Sequence, residues 1–270
     1  MRVARIRQSP GKPSRDAAAV TAADRDAYAD TPFARLDGTR AHLFDKAPWI
    51  GGRETGVSVS WTEADLQCPV VPSKIVCIGR NYAAHAHELG HNVPEEPLLF
   101  LKPPSALLGP LGLVVLPPQS LRVEHEAELA VVLGKRARRI SAEQALSHVF
   151  GYTCACAVTA RDLQKKDVQV TRAKGFDTFC PVGPWIETDL DPRALPIACR
   201  VNGKTRQSGV TSQMLFDVAT LVGFASHVMT LEAGDVILTG TPEGVGPLAS
   251  GDALEIEVEG VGVLGLRIGE

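Results

Sequence analysis

The pattern of apolar and polar positions divides the chain near residue 73. From Ile75 onward, short apolar runs that end at turn residues recur along the chain, which is typical of a β-rich protein. Before that point the pattern is less regular: Val57–Trp61 predicts a short strand, and residues 15–28 allow either a short helix or a mobile segment. The pattern predicts a small N-terminal domain over residues 1–72 and a larger domain over residues 73–270.

Within the larger domain, the apolar runs predict individual strands and helices. Ile75–Gly79 and Leu129–Leu133 are continuous apolar runs, as expected of strands that are buried on both faces. The pair Asn202-Gly203 lies between two strand-like segments and predicts a β-hairpin with a type I′ turn. The remaining predicted elements are helices over residues 140–149 and 212–229, strands over 150–158 and 236–239, and a closing hairpin over 254–268. Three positions on these apolar runs are predicted to be buried core residues: Val131, Ile237 and Ile256.

Three glutamates precede the apolar run at Leu129. Glu124, Glu126 and Glu128 occupy every second position, so on a strand their side chains would share one face. Like charges placed side by side repel each other, and something must offset them. Water would do this at a solvated start of a strand, and a hard cation such as Mg²⁺ or Ca²⁺ would do it at a metal site. The spacing alone leaves both interpretations open.

A histidine and a glutamate are paired on the helix predicted for residues 80–90. His85 and Glu88 are separated by three positions, which makes them neighbours on a helix surface. A histidine held by a carboxylate is a common arrangement for a general base. The alternative is a solvated helix face in a segment that is rich in histidine.

Two loops also carry functional groups. Thr171–Pro181 has few apolar residues in periodic order and predicts a loop over a site, in which Lys174 is either a ligand-binding cation or a surface lysine. Gly240–Pro247 is a glycine-rich loop whose amides could bind an anion. This second loop matches neither a Walker A sequence nor a dinucleotide-binding fingerprint.

The composition narrows the class of protein. A net charge of −3 gives no electrostatic argument for binding nucleic acid or an anionic membrane surface. No apolar run approaches the roughly 20 residues of a membrane span, and no apolar segment of a secretory signal follows the first arginines. The six cysteines show no CxxC spacing, so we expect reduced thiols in a cytoplasmic protein.

Six stretches, taken in order, resemble the fumarylacetoacetate hydrolase family. They are Ile78–Tyr82, Phe100–Pro103, Glu126–Leu129, Thr159–Gln164, Lys174–Thr178 and Thr239–Gly246. The resemblance covers roughly residues 74–268, whereas the N-terminal segment matches only loosely. It implies an α+β, β-rich fold, namely a mixed β-sandwich roll with a small N-terminal domain, and a homodimer.

The resemblance also implies a chemistry. Members of this family bind Mg²⁺, Mn²⁺ or Ca²⁺ through two glutamates and an aspartate, and they act on 2,4-diketo acids and related oxo acids. Their reactions are C–C bond hydrolysis, decarboxylation and tautomerisation. The positions that match are Glu126 and Glu128 for the metal, His85 and Glu88 for the dyad that activates water, Arg161, Gln164 and Lys174 for contacts with the substrate, and Thr241 in the glycine-rich loop.

One position departs from the family pattern. Where the family has the metal-binding aspartate, this chain has Ala157, which offers no ligand atom. Cys156 is a poor replacement, because adjacent strand residues face opposite ways and thiolate suits Mg²⁺ badly. Metal binding is then weakened, unless Glu124 compensates from the same face.

Three functions follow from the resemblance and this departure. The first is an enzyme that hydrolyses a C–C bond of a 2,4-diketo acid or related oxo acid through an enolate. The second is a metal-independent relative that performs tautomerisation, decarboxylation or another proton transfer, with Lys174 in place of the metal. The third is a catalytically silent ligand-binding protein, which the intact His85, Glu88, Gln164 and Lys174 disfavour.

Overall fold

A computed structural model describes residues 1–7 and 31–270 of the chain. The helix or mobile segment considered for residues 15–28 lies outside the described residues. The first strands are β1 (Arg2–Ile6), β2 (Phe33–Asp37), β3 (Arg40–Phe44), β4 (Glu54–Ser60), β5 (Leu66–Gln67), β6 (Ile75–Gly79), β7 (Leu98–Lys102), β8 (Leu107–Leu108), β9 (Leu113–Val115) and β10 (Val123–His125). The later strands are β11 (Ala127–Leu133), β12 (Val149–Cys156), β13 (Thr159–Ala160), β14 (Cys180–Glu187), β15 (Pro196–Val201), β16 (Lys204–Val210), β17 (Val236–Leu238), β18 (Gly246–Pro247), β19 (Ala253–Val258) and β20 (Gly262–Gly269).

The helices of the described residues are short. The α-helices are α1 (Ala83–Glu88), α2 (Ala142–Ala145), α3 (Arg161–Lys166), α4 (Thr171–Lys174) and α5 (Val218–Val228). Single 3₁₀ turns lie at Pro48–Ile50, Glu63–Asp65, Pro104–Ala106, Leu146–His148, Pro192–Ala194 and Thr211–Gln213. The protein is therefore β-rich, as the apolar runs predicted.

The strands form two large sheets and one small one. The largest sheet has the order β4-β3-β2-β1-β14-β12-β11-β17-β6-β7, with β5 paired to β1 and β8 paired to β14. The second sheet has the order β16-β15-β19-β20-β9 and packs against the middle of the first. The small sheet has the order β13-β10-β18. This is the sandwich-type arrangement of sheets expected from the resemblance. The boundary at residue 72 stays a prediction.

Strand β11 lies at the centre of the fold. Its alternate side chains enter two different hydrophobic clusters: Leu129 and Val131 face the second sheet, and Ala130 and Val132 face the opposite side. The prediction of a strand buried on both faces is confirmed, because every residue of β11 is buried. The three predicted core positions are confirmed as well, since all of them are 0% exposed: Val131, Ile237 and Ile256.

The hairpin predicted at Asn202-Gly203 is confirmed. Asn202 and Gly203 both have positive φ, at 52° and 73°, as a type I′ turn requires. The turn joins β15 to β16 in antiparallel register. It matters for the site because β16 carries a buried glutamine that is described below.

The helix predicted over residues 212–229 begins later than expected, at Val218. The Asp217 carboxylate accepts a hydrogen bond from the Thr220 amide at 2.8 Å and caps the helix there. Before the cap, the Phe216 amide donates to Asn81 Oδ1 at 2.9 Å, so this stretch is held against the end of β6 instead of continuing the helix.

Four strand ends meet at one edge of the large sheet. Strands β6 and β17 are parallel, β11 is antiparallel to β17, and β12 is antiparallel to β11. The carboxyl ends of β6, β12 and β17 and the amino end of β11 therefore lie side by side. The segments with functional groups follow or precede these four ends, and the sheet topology alone brings them together.

A buried aspartate anchors the opposite ends of β6 and β17. Asp235 is 0% exposed, and its carboxylate accepts hydrogen bonds from the backbone amides of Ser73, Lys74 and Glu232 at 2.9, 3.1 and 2.7 Å. The Lys74 ammonium pairs with the same carboxylate at 2.5 Å. This one side chain holds the parallel pair of strands at its starting end.

We predict that Asp235→Ala lowers the free energy of unfolding by about 2–4 kcal/mol, because it leaves a partly buried cation and three backbone amides without their acceptor. Denaturant titration measures the effect. Glu232→Ala is the matched control: it removes only an exposed ion pair with Arg136 and should cost no more than about 1 kcal/mol. Equal losses in the two variants would contradict the anchoring role of Asp235.

Candidate active site

Two cationic side chains bind Glu126, the middle one of the three glutamates. Glu126 lies in the break between β10 and β11 and is 5% exposed. One of its carboxylate oxygens accepts from Arg161 Nη2 at 2.6 Å, and the other accepts from Lys174 Nζ at 2.5 Å. Burial by itself raises the pKa of Glu126, but Lys174 and Arg161 together outweigh it and hold the pKa well below its usual range. Glu126 is therefore a buried, ionised carboxylate with a cation on each oxygen.

Arg161 links Glu126 to the neighbouring glutamate. Its Nε donates to Glu124 Oε2 at 2.6 Å, and its Nη1 donates to Gln164 Oε1 at 2.5 Å. Arg122 Nε donates to the other oxygen of Glu124 at 2.6 Å. Burial alone raises the pKa of Glu124, yet Arg161 pulls it below the usual range. Glu124 thus neutralises and orients Arg161, and both of its oxygens are engaged, so it has no free oxygen with which to compensate for Ala157.

Glu128 is the least paired of the three glutamates. Its Oε2 accepts from the Gly240 amide at 2.5 Å, at the start of the glycine-rich loop. Burial, together with the charge of Glu126, raises the pKa of Glu128 to about 8. All three glutamates are at most 5% exposed, so the interpretation as a solvated strand start is wrong.

The donors present do not fit the three-carboxylate metal site that the resemblance implies. Ala157 is buried at the third position and carries no ligand atom. Burial raises the pKa of the neighbouring Cys156 thiol to about 12, so that thiol keeps its proton at neutral pH. Both oxygens of Glu126 are already engaged. In the described ranges, no group of three His, Cys, Asp or Glu side chains is arranged to hold a metal ion.

The predicted dyad forms on α1. His85 Nδ1 lies 3.2 Å from Glu88 Oε2, and His85 is buried. The other oxygen of Glu88 accepts from the Gly244 amide at 3.0 Å, so the glycine-rich loop fixes the carboxylate that orients the histidine. A protonated His85 would also help to lower the pKa of Glu126. The alternative of a solvated face is wrong for His85 and correct for His87, which is exposed.

Lys174 is buried and not on the surface. It ends α4, is 4% exposed, and its ammonium lies 5.4 Å from the centre of the Phe100 ring. The alternative interpretation as a surface lysine is therefore wrong. One of the three N–H donors of Lys174 binds Glu126, which leaves two for a ligand.

Sequence reasoning missed a second buried lysine that supports Lys174. Lys102 is 1% exposed, and its ammonium donates to the backbone carbonyls of Val158, Lys174 and Phe179 at 3.0, 2.5 and 2.8 Å. It thereby fixes the segment after β12 and the segment that carries Lys174. The only sequence signal for a buried lysine was its position in an apolar run, and such a pattern does not identify the three carbonyls that it binds.

A buried glutamine was missed as well. Thr241 is 3% exposed, and its hydroxyl accepts a hydrogen bond from Gln207 Nε2 at 2.7 Å. Gln207 lies on the hairpin of the second sheet, and nothing in its sequence neighbourhood marks it.

The structure brings all the residues that the resemblance implied into one connected region. Their roles in binding and catalysis stay predictions at this point. They are joined directly or through Gln207 and the backbone of the glycine-rich loop: His85, Glu88, Glu126, Glu128, Arg161, Gln164, Lys174 and Thr241.

A cavity of about 220 Å³ lies beside this region. It is lined on one side by the start of α1, at Tyr82 to Ala84, and on the other by Pro242 and Glu243 of the glycine-rich loop. These segments directly adjoin His85 and Thr241. The charged cluster around Glu126 does not line the cavity, so the cavity adjoins the cluster without covering it.

Comparison with known proteins agrees with this site. The family model "Fumarylacetoacetate (FAA) hydrolase C-terminal" matches residues 74–268. A human mitochondrial oxaloacetate tautomerase is 45% identical over 217 residues, which cover 76% of this chain and 69% of the relative. No helix of the described residues is long and apolar enough to cross a membrane.

Two solved structures are similar in fold to this protein. The 5-carboxymethyl-2-hydroxymuconate delta-isomerase from Mycobacterium smegmatis is 41% identical with a TM-score of 0.86, covering 100% of this chain and 99% of that one. The fumarylpyruvate hydrolase from Pseudomonas aeruginosa, in complex with Mn²⁺ and pyruvate, is 33% identical with a TM-score of 0.70, covering 75% and 91%. Similar proteins are therefore named for isomerase, tautomerase and hydrolase activities, and a divalent metal occurs among them. The chain belongs to the fumarylacetoacetate hydrolase family.

Proposed function

We propose that this protein is a tautomerase or isomerase that moves a proton between the enol and keto forms of a 2-oxo acid. The observation that carries the proposal is the pairing of Glu126, whose two oxygens accept hydrogen bonds from Arg161 and Lys174. At the position of the family's third carboxylate, this chain has the buried Ala157. Protein cations supply the positive charge at this site. A proton transfer needs such a charge beside the enolate oxygen, and it needs no metal-activated water.

The proposed mechanism uses the groups that remain free. The substrate carboxylate and its C2 oxygen would lie near Lys174, whose two unused N–H donors stabilise negative charge on that oxygen. His85, oriented through Nδ1 by Glu88, would add or remove the proton at C3 with its Nε2. Ketonisation moves one proton from the enol oxygen to C3, so the reaction consumes no co-substrate. The cavity next to α1 has room for the remainder of the substrate.

The relatives support this assignment. The human oxaloacetate tautomerase and the mycobacterial isomerase are named for shifts of a proton and a double bond in oxo acids or their enols. Both match most of this chain. A small 2-oxo dicarboxylic acid such as oxaloacetate is therefore the first substrate to assay. The homodimer and the cytoplasmic location implied at the sequence level stay predictions.

The second candidate is hydrolysis of a C–C bond in a 2,4-diketo acid. It is favoured by the fumarylpyruvate hydrolase, which was solved with Mn²⁺ and pyruvate, and by the dyad, which could activate water as well as move a proton. On this candidate Mg²⁺ or Mn²⁺ would bind weakly through Glu126 and Glu128, with ligand atoms from the substrate completing the site.

One assay separates the two candidates. We expect the purified protein to accelerate ketonisation of enol-oxaloacetate, followed by ultraviolet absorbance, with the same rate in EDTA and in Mn²⁺. We expect no pyruvate to be released from fumarylpyruvate. Release of pyruvate that EDTA abolishes would replace the tautomerase assignment with the hydrolase assignment.

His85→Ala should lower kcat by about 10²- to 10⁴-fold with little change in KM, because a proton-transfer group acts in the transition state. His87→Ala is the matched control, since His87 is on the same helix and is exposed, and it should retain the activity of the wild type. Initial rates over a range of substrate concentrations provide both constants. An unchanged kcat in His85→Ala would reject the role of the histidine.

Ala157→Asp tests the departure from the family pattern. We expect this variant to bind Mn²⁺ more tightly than the wild type, because it restores a third oxygen ligand. We also expect it to have lower activity in EDTA, because an unpaired carboxylate is added beside Glu126 and Glu128. Calorimetric titration and the ketonisation assay measure the two effects. Tight Mn²⁺ binding by the wild type without any ligand would show that Ala157 does not disable the metal site.

A further inference from the structure

We infer that Gln207 is a positioning residue, whose amide sets the distance between the glutamate strand and the glycine-rich loop. Gln207 is 0% exposed and comes from β16, at the edge of the second sheet. It therefore reaches the site from outside the four strand ends that supply the other residues. Its catalytic consequence rests on the proposed function, whereas its structural consequence does not.

The amide of Gln207 makes two hydrogen bonds on each side. Towards the strand, its Oε1 accepts from the Ala127 backbone amide at 3.0 Å and lies 3.0 Å from His125 Nδ1. Towards the loop, its Nε2 donates to Thr241 Oγ1 at 2.7 Å and to the Pro242 carbonyl at 2.8 Å. All four hydrogen-bonding positions of the amide are used, two by the strand side and two by the loop.

The backbone fixes the orientation of this amide. The Ala127 N–H can only donate and the Pro242 carbonyl can only accept, so the oxygen of Gln207 must face the strand and its nitrogen must face the loop. It follows that His125 carries its hydrogen on Nδ1. Burial lowers the pKa of His125, which agrees with a neutral ring in this tautomer.

The two sides that Gln207 joins are the two sides of the site. Ala127 lies between Glu126 and Glu128, and Thr241 follows Gly240, whose amide binds Glu128. The same loop also holds Glu88 through the Gly244 amide. A change in the position of the loop would therefore alter both the glutamate end and the histidine end of the site.

Hydrogen exchange measured by mass spectrometry on the full chain tests the positioning role without any substrate. Gln207→Met has nearly the same volume and removes all four hydrogen bonds. Gln207→Glu still accepts from Ala127 and His125, and Thr241 can turn to donate to it, but in its ionised form it cannot donate to the Pro242 carbonyl. Gln144→Glu is the control, because Gln144 is an exposed residue in the cap of α2.

Peptides that cover residues 124–128 and 240–244 report on the two sides. We expect Gln207→Glu to speed exchange about tenfold in the loop peptide only, and Gln207→Met to speed exchange at least tenfold in both, because the hydrogen bonds that hold each segment are lost. Gln144→Glu should leave both peptides unchanged. Wild-type exchange in the loop of Gln207→Glu, or faster exchange in its strand peptide alone, would overturn the inference.

A milder variant keeps the test decisive if Gln207→Met does not fold. Thr241→Val removes the acceptor for Gln207 Nε2 and the long 3.5 Å hydrogen bond from the same hydroxyl to the Pro242 carbonyl, and it preserves the shape of the side chain. We expect faster exchange in the loop peptide and no change in the strand peptide. The positioning role would be overturned if both variants, Thr241→Val and Gln207→Glu, exchange at the wild-type rate.

Kinetics add the catalytic consequence. In the ketonisation assay, Gln207→Glu should lower kcat about tenfold and leave KM within about twofold, because a displaced loop misorients the dyad more than it weakens binding. A purely stabilising role would lower the melting temperature and leave kcat unchanged. If the wild type does not ketonise oxaloacetate, the proposed function fails, and the exchange experiment still decides the role of Gln207.

Discussion

Burial of negative charge at the start of β11 is the constraint on which the site depends. Three carboxylates emerge beside a fully buried strand, where an unpaired charge would cost several kcal/mol. Arg161 and Lys174 offset that charge, and each comes from a segment that follows β12. Lys102 in turn fixes the segment of Lys174 through three carbonyls. Lys174 stays in place because the backbone carbonyls around it already have a hydrogen-bond donor in Lys102.

This charge balance and the dyad together explain why proton transfer is the chemistry assigned. Glu124 and Glu126 do not need an added cation to remain ionised, since Arg161 binds both of them and Lys174 binds Glu126. Lys174 still has donors for an anionic substrate oxygen, and His85 faces the same region with its outer nitrogen free of Glu88. An acid–base group and a fixed positive charge are the two components that enolisation of an oxo acid requires.

The sequence predicted the strands and helices of this fold better than it predicted which residues contact them in the folded protein. Periodicity and turn residues placed β6, β11, the Asn202-Gly203 hairpin and the dyad on α1, because these signals are local. The partners of Glu126 could not be read in this way. Arg161 and Lys174 are 35 and 48 residues away, and alternation along a strand reports a shared face without naming what lies opposite. The pattern therefore suggested that water or a metal ion offsets the glutamate charges. In the structure, Arg161 and Lys174 offset the charge of Glu126.

The distances along the chain between bonded groups also have a consequence for folding. Glu88 and the Gly244 amide are separated by 156 residues, and Asn81 and the Thr239 carbonyl by 158. Contacts of such long range form late, because the chain must lose a large loop entropy before they contribute any stability. Without the C-terminal third of the chain, the dyad lacks the Gly244 amide that fixes the Glu88 carboxylate. Recovery of activity during refolding would therefore report the docking of the glycine-rich loop that carries Gly244.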